Sequence, residues 1–526
     1  MALLTEQELL GCGWFSAGWY QQQYADVAGS GLSPARHFVK YGSGWGRSPG
    51  PAFNAQWYLH TYPDVAQAGL APLAHFLRHG RQEGRLPVPV QAKEWEQALW
   101  GKTQPEHACL AELEVLLQHS TLPERSYAAW ALARWHAWQQ HWPAVAEVLA
   151  PCFPLHPHNL PFGPAPWLLY ADALTKTGQL TNATKQLQQL QLAFPDYEDA
   201  HLAYANLLAA SRPCCKVQQL AAVNAIWRRH RLAPAQLANP NGELELDNLL
   251  CSSPKPAFTV PEASKPVISV IVPVFNAGQG LHTALASLVN QSLAVHCPGS
   301  IEILVVDDAS TDNSVSIAQR FASAYSWIRV LPQPHNQGAY AARNAGLANS
   351  RGSFITVHDS DDWSHPQKLE WQLAAMQQNQ HWMACNSYWV RCSNQLEFGN
   401  WRMESGWIYR NTSSLLFRRN VFEQLGYWDK VRADADTEYY YRIRAAFGAS
   451  ALGEVAKGIP LAFGRAVPGS LSQAGPTHLC TQFAGVRKDY QQAAARWHQG
   501  AAKPADLYLP QHPAQRPFPA PDLILP

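Results

Sequence analysis

The chain has 526 residues, more than one hydrophobic core serves, so roughly two to four domains are expected. A composition 47% apolar and 15% charged excludes a disordered chain, and a formal net charge of +1 without a basic run argues against a nucleic-acid partner. The ten cysteines are scattered, with Cys214–Cys215 the only adjacent pair and no CxxC spacing for zinc, a pattern that fits a reducing compartment. MALLTEQELL at the start carries acidic residues and no basic-then-apolar segment, and no apolar run reaches the roughly 18 to 20 residues that span a bilayer. The expectation is a cytoplasmic protein without a transmembrane segment, reaching the inner face of the membrane through partners.

The first predicted elements repeat. FSAGWYQQQYADVAGSGLSPARHFVKYGSGWGRSP from Phe15 aligns with FNAQWYLHTYPDVAQAGLAPLAHFLRHGRQEGRLP from Phe53, a period of about 38 residues. Trp19 matches Trp57, Asp26 matches Asp64, His37 matches His75 and Arg47 matches Arg85. Each copy reads as helix, Gly-Pro turn, helix and Gly-Arg exit, which places two copies in residues 1–92. Two copies bury little alone, so they are expected to pack on a neighbour or a partner. Asp26/Arg47 and Asp64/Arg85 read as salt bridges or caps within a copy. The pattern resembles a short WYxxxYPDV…GR repeat found beside glycosyltransferase domains in bacterial proteins.

Residues 93–250 are rich in Ala, Leu, Gln and Trp at helical spacing. Within them, WLLYADALTKTGQLTNATKQLQQLQLAFP resembles a tetratricopeptide repeat through Trp167, Ala171, Leu174, Gly178, Ala183, Leu187 and Pro195. A helical spacer and a peptide-binding groove both fit this TPR-like region. A polar linker with prolines (residues 251–266) precedes an α/β domain (267–498). The last segment (499–526) carries seven prolines between Pro504 and Pro526 and reads as a tail that wraps the surface or stays extended.

In the α/β region VISVIVPVF, IEILVVDD, WIRVL and FITVHD read as strands. LHTALASLVNQ, VSIAQRFASAY, AYAARNAGLA and KLEWQLAAMQQ read as helices between and after them. Strands this continuously apolar are covered on both faces, which predicts a mainly parallel sheet with helical crossovers. Ligands of such sheets gather at the carboxyl ends of strands, where Asp307–Asp308 and Asp359, Asp361 and Asp362 fall. Three carboxylates within four positions repel one another. A bound cation resolves that repulsion, and so does a solvated turn.

PVISVIVPVFN, IEILVVDDASTDNS, NQGAYAARNAGLANSRGSFITVHDSDDW and SSLLFRRNVFEQLGYWD together resemble the family-two glycosyltransferases of GT-A fold, over about a third of the chain. The resemblance implies a metal-dependent, inverting enzyme that moves a sugar from a nucleotide-diphosphate sugar, UDP-linked by family habit. The acceptor would be a glycan, glycolipid or protein in bacterial surface polysaccharide or glycoconjugate synthesis. It implies that Pro273, Phe275 and Asn276 face the nucleotide base, and that Asp308 accepts a hydrogen bond from the base edge with Asp307 beside it. Arg343 would meet the diphosphate, where a forked cation suits phosphate oxygens. Asp359 and Asp361, with Ser360 between them, would form a DxD element holding Mn²⁺ or Mg²⁺. Asp436, six positions ahead of Arg442, would be the general base. Asp434 and Glu438 stand beside it, and carboxylates of this run also serve as structural partners of Arg442 or Arg444. His478 is a candidate metal ligand, ordinary packing being the alternative, and His358 reads as packing. Trp389, Trp401 and Trp407 suit sugar stacking and core packing equally.

Two other functions compete. One is a non-catalytic scaffold whose helical repeats recruit protein partners; the retained acidic positions argue against it. The other is nucleotidyl transfer, which wants a Gly-rich phosphate loop that VPVFNAGQG does not supply.

Overall fold

A computed structural model describes residues 4–152, 163–211, 215–258, 266–399, 406–466, 475 and 477–525. Residues 259–265 of the linker, Trp401, Cys214, Pro526 and much of the SLSQAGPTHL run (470–474 and Pro476) lie outside the described residues. The chain divides into two units, residues 1–211 with 401–406, and residues 212–400 with 407–526. Among the described residues, no helix is long and apolar enough to cross a membrane.

In the first unit the two copies of the repeat share one core, in which Tyr20, Phe38, Tyr58 and Phe76 are buried together. Equivalent residues do equivalent work. The Tyr20 hydroxyl meets His37 Nδ1 at 3.2 Å, and the Tyr58 hydroxyl meets His75 Nδ1 at 3.0 Å. Arg47 pairs with Asp26 at 2.9 Å and Arg85 with Asp64 at 2.8 Å, so each copy closes its own exit with a salt bridge. Helices follow from Gln91–Gly101 to Asp199–Ser211. Trp167, Ala171, Leu174, Ala183 and Leu187 are buried along Ala165–Lys176 and Leu180–Ala193.

The second unit begins earlier than the Pro-bearing linker suggests. Helix α1 (Lys216–Arg229) belongs to it because Trp227 is fully buried there. The Trp227 indole N–H donates to the Pro460 carbonyl at 3.0 Å, and its ring lies over Phe463 at 5.6 Å. A ribbon of β1 (Ala235–Leu237) and β2 (Leu249–Cys251) follows. Then come β3 (Ile268–Val274), α2 (Gln279–Val289), α3 (Ser292–His296), β4 (Ile301–Asp307), α4 (Ser314–Ala324), β5 (Ile328–Pro332), α5 (Ala339–Asn349), β6 (Phe354–Val357), β7 (Trp363–Ser364) and α6 (Lys368–Gln378). The remainder is β8 (Ala384–Asn386), β9 (Tyr388–Cys392), β10 (Tyr409–Arg410), β11 (Leu416–Arg418), α7 (Arg419–Leu425), α8 (Ala435–Phe447), β12 (Leu452–Glu454), β13 (Pro460–Arg465) and α9 (Val486–Gly500).

Among the described residues, seven strands form one sheet in the order β12-β8-β11-β6-β3-β4-β5. β6, β3, β4 and β5 run parallel, and β11 lies antiparallel between β6 and β8. Alternation along the strands sorts side chains to two faces. Ile268, Val270, Val272 and Val274 pack against α2, α4 and α6 through Leu281, Leu285, Ile317, Leu369 and Leu373. Ile271, Leu304, Val306 and Ile355 pack on the opposite face with α5, α8 and α9. Gly346 lets α5 lie close to the sheet: a Cβ there would meet Ile271 Cγ2 at 2.4 Å. A second sheet, β10-β9-β13-β7, carries the continuation of the chain beyond the acidic loop. The tail wraps this unit with its apolar residues inward, since Leu507, Phe518 and Ile524 are buried in the α8–α9 core.

Candidate active site

The carboxyl ends of β3, β4 and β6 converge as their register requires, with Val274 opposite Asp307 and Ile271 opposite Val357. After β3, Phe275 is 49% exposed, an aromatic face offered to solvent beside the buried Pro273. Asn276 takes up a left-handed backbone with φ 50°, and its side-chain oxygen accepts the Thr311 N–H at 2.8 Å. It thereby staples the loop after β3 to the loop after β4. Asp307 accepts the Ser310 N–H at 3.3 Å. Asp308 is 2% exposed and accepts the backbone N–H groups of Gln337 (2.9 Å) and Gly338 (2.7 Å). Burial raises the Asp308 carboxyl above its ordinary value while these two amides work against that rise. Its visible task is to hold the turn that starts α5, a role the sequence did not suggest.

Helix α5 then presents Arg343, buried at 5% exposure. Nη2 donates to Asp359 Oδ1 at 2.8 Å. Nε and Nη1 are buried with no hydrogen-bond partner. Buried donors of this kind are rarely left unpaired, so the two unmatched N–H groups on this guanidinium call for a partner, water or an anionic oxygen. The guanidinium lies 4.8 Å from the centroid of the Tyr340 ring, one helical turn away.

The acidic loop lies between β6 and β7. Gly280 at the start of α2 lets this loop approach, for a Cβ there would stand 2.9 Å from Asp361 Cβ. Burial works to raise the Asp359 carboxyl, yet Arg343 beside it carries the balance below the usual carboxylate range. Asp361 is pushed up to about 6 by burial and by the charge of Asp359. Asp362 goes well above the usual range from burial and from both neighbouring acids, and its Oδ1 accepts the Arg465 backbone N–H at 3.0 Å. The Arg465 side chain donates to the Asp361 carbonyl at 3.0 Å and pairs with Asp247, which ties the loop to β13. Ser360 is half-buried between the two acids. Behind the loop, the buried Lys368 reaches Ser364 and Ser414; burial depresses its ammonium to about 8 while Asp362 and Asp359 pull it back. His358 is neutral packing, as its sequence position suggested: Nε2 lies 3.0 Å from Ser364 Oγ, and burial takes its imidazole down to about 3.

Two half-buried carboxylates with oxygen donors only fit a hard divalent cation. Among the described residues no group of three or more His, Cys, Asp or Glu forms a cage of its own, so further ligands would come from the substrate and water. His478 Nδ1 accepts the Cys480 N–H at 3.1 Å and caps the short helix Leu479–Gln482.

At the start of α8 the three acids part ways. Asp434 is buried against Arg487 and accepts a hydrogen bond from Gln491. Glu438 is buried between Arg442 (2.8 Å) and His498 (2.9 Å). Asp436 is half-buried and accepts at Oδ1 from the Tyr340 hydroxyl at 2.8 Å and from Thr437 N–H at 2.9 Å. Of the three, it alone is not consumed by an ion pair. Trp389 and Trp407 are buried, at 6% and 1% exposure, and belong to the core rather than to a stacking platform.

Residues 269–430 match the family model described as glycosyl transferase family 2. This stretch is a family 2 glycosyltransferase domain. The parallel sheet with its strand-end acids is the GT-A architecture expected of it. An uncharacterized glycosyltransferase of Haemophilus influenzae is 40% identical over 123 residues, which are 23% of this chain and 47% of that protein. The putative glycosyltransferase EpsH of Bacillus subtilis is 37% identical over 121 residues, covering 23% and 33%. The cholesterol galactosyltransferase of Borreliella burgdorferi is 28% identical over 174 residues, covering 31% and 47%. The chain thus spans less than half the length of these curated relatives. Among solved structures, S. aureus TarS in complex with UDP-GlcNAc aligns at 19% identity and a TM-score of 0.32, covering 39% of this chain and 59% of that one. The mannosyltransferase PcManGT of Pyrobaculum calidifontis in complex with GDP-Man and Mn²⁺ aligns at 19% identity and a TM-score of 0.30, covering 49% and 69%.

Proposed function

We propose that the chain is an inverting, metal-dependent glycosyltransferase acting on a nucleotide-diphosphate sugar. The observation that carries this reading is Arg343, whose Nε and Nη1 are buried and unpaired beside Asp359. Phosphate oxygens of a diphosphate would give these donors the partner they lack. Phe275 gives the nucleobase an aromatic face, and the loops pinned by Asn276, Asp307 and Asp308 form the floor beneath it. Asp359 and Asp361 would hold Mn²⁺ or Mg²⁺, and Ser360 lines the same loop. The ion supplies charge neutralisation at the departing diphosphate. Asp436 takes the proton from the acceptor hydroxyl as that oxygen attacks the anomeric carbon, and a single direct displacement of this kind inverts that centre.

The donor is a UDP- or GDP-sugar, and the acceptor class is a glycan, glycolipid or protein of bacterial surface glycoconjugate synthesis. The supports are the family assignment and the glycosyltransferase relatives. Incubating the purified chain with Mn²⁺ and a panel of nucleotide sugars tests it. Release of nucleoside diphosphate that is lost in Asp361→Ala supports catalysis. Release from no donor, with no binding of UDP or GDP, refutes it and leaves a scaffold.

A further inference from the structure

We propose that Tyr340 is a positioning residue that tethers the proton acceptor Asp436 to Arg343. The inference rests on the reading of Asp436 as the base. Tyr340 and Arg343 stand one turn apart on α5, so they share a face. The Tyr340 side chain is divided between two tasks. Its hydroxyl donates to Asp436 Oδ1 at 2.8 Å, and its ring supports the Arg343 guanidinium at 4.8 Å. Tyr340 is itself buried at 6% exposure, so neither contact is a surface accident.

A carboxylate on a helix turns freely about its last torsion unless something fixes it. Two hydrogen bonds fix this one, from Tyr340 and from Thr437 N–H, and both fall on Oδ1. Oδ2 makes no hydrogen bond among the described residues and is presented at a set angle. Burial and the Asp436 charge hold the Tyr340 hydroxyl far above the ordinary phenol value, so it stays a donor at any working pH. The consequence is mechanical. One helix sets both the cation that meets the leaving diphosphate and the orientation of the base that activates the acceptor. Misplacing a reacting group by about 1 Å costs on the order of 100-fold in rate. The partners lie 96 positions apart in the sequence, which is why the sequence alone does not reveal them.

Tyr340→Phe keeps the ring and deletes the hydroxyl, while Tyr340→Ala removes both. Initial rates would be measured on the full chain with Mn²⁺ and whichever nucleotide sugar the panel selects, with UDP affinity read by calorimetry. Tyr340→Phe is expected to lower kcat roughly 10- to 100-fold with donor KM and UDP affinity within twofold of the parent. Tyr340→Ala is expected to weaken UDP in addition, by roughly fivefold, because Arg343 loses its support. A Tyr340→Phe protein with parental kcat overturns the tether, and so does one that loses kcat and UDP affinity together. Asp436→Asn separates the two claims. If it abolishes turnover while Tyr340→Phe does not, only the tether fails; if it retains parental kcat, the base assignment and this inference fall together.

Discussion

Arg343→Lys separates charge from geometry at the diphosphate position. The lysine ammonium keeps the positive charge and reaches Asp359, which Arg343 Nη2 holds at 2.8 Å. It cannot reproduce the two further N–H groups, Nε and Nη1, that stand buried without partners. Hydrogen bonds to charged groups contribute about 1.5–3 kcal/mol each. Losing two, with some recovery from water and from the retained charge, weakens nucleotide binding by about 2–4 kcal/mol, or roughly 30- to 700-fold. The free protein should change little, because the ammonium on Asp359 also carries two further N–H groups without a partner, as the guanidinium does. Calorimetric titration of UDP in saturating Mn²⁺ measures the first effect, and thermal unfolding without ligand measures the second. A folded variant that binds UDP within threefold of the parent refutes the assignment of those donors to the diphosphate.

Metal affinity should follow the state of Asp361, which burial and Asp359 push up to about 6. The ionised form binds, so Mn²⁺ affinity is full above that value and falls up to tenfold per pH unit below it, checked by titration from pH 5 to 8. Without metal the sign for stability is opposite. The folded chain binds this proton more tightly than the unfolded chain, so the group destabilises the fold as pH rises through about 6, and acidification toward pH 5 relieves it. Elsewhere, Arg442 is fully buried against Glu438 at 2.8 Å and also donates to the Leu425 and Tyr427 carbonyls. Arg442→Met should cost about 3–5 kcal/mol, a melting point lower by roughly 10 °C, with partial recovery in the double variant carrying Glu438→Gln.

Much of the α/β unit is readable in the chain because its central strands are unbroken apolar runs ended by acids. VISVIVPVF, IEILVVDD and FITVHD become β3, β4 and β6, the last stopping at Val357 before His358. The second sheet is not readable, since β7 and β10 are two residues long and carry no period. The same contrast holds in the site. Asp359, Asp361 and Arg343 announce themselves through local motifs. Arg442 claims Glu438 from one turn away on the same helix, but Asp434 is sorted from Asp436 by Arg487 and Gln491, which α9 delivers with His498 from far along the chain. Lys368 and Arg465 support the acidic loop from α6 and β13, and nothing near them in sequence marks that task. Helix α1, with Trp227, reads as one more helix of the preceding region, because its burial site is built by Phe463 and Trp363.

The most direct test is a calorimetric titration of the purified chain with UDP and with GDP, in Mn²⁺ and again after chelation. Uptake of at least one nucleotide that requires the ion and is lost in Asp361→Ala is the predicted result. Equal binding with and without metal, or binding of neither nucleotide, would contradict the account.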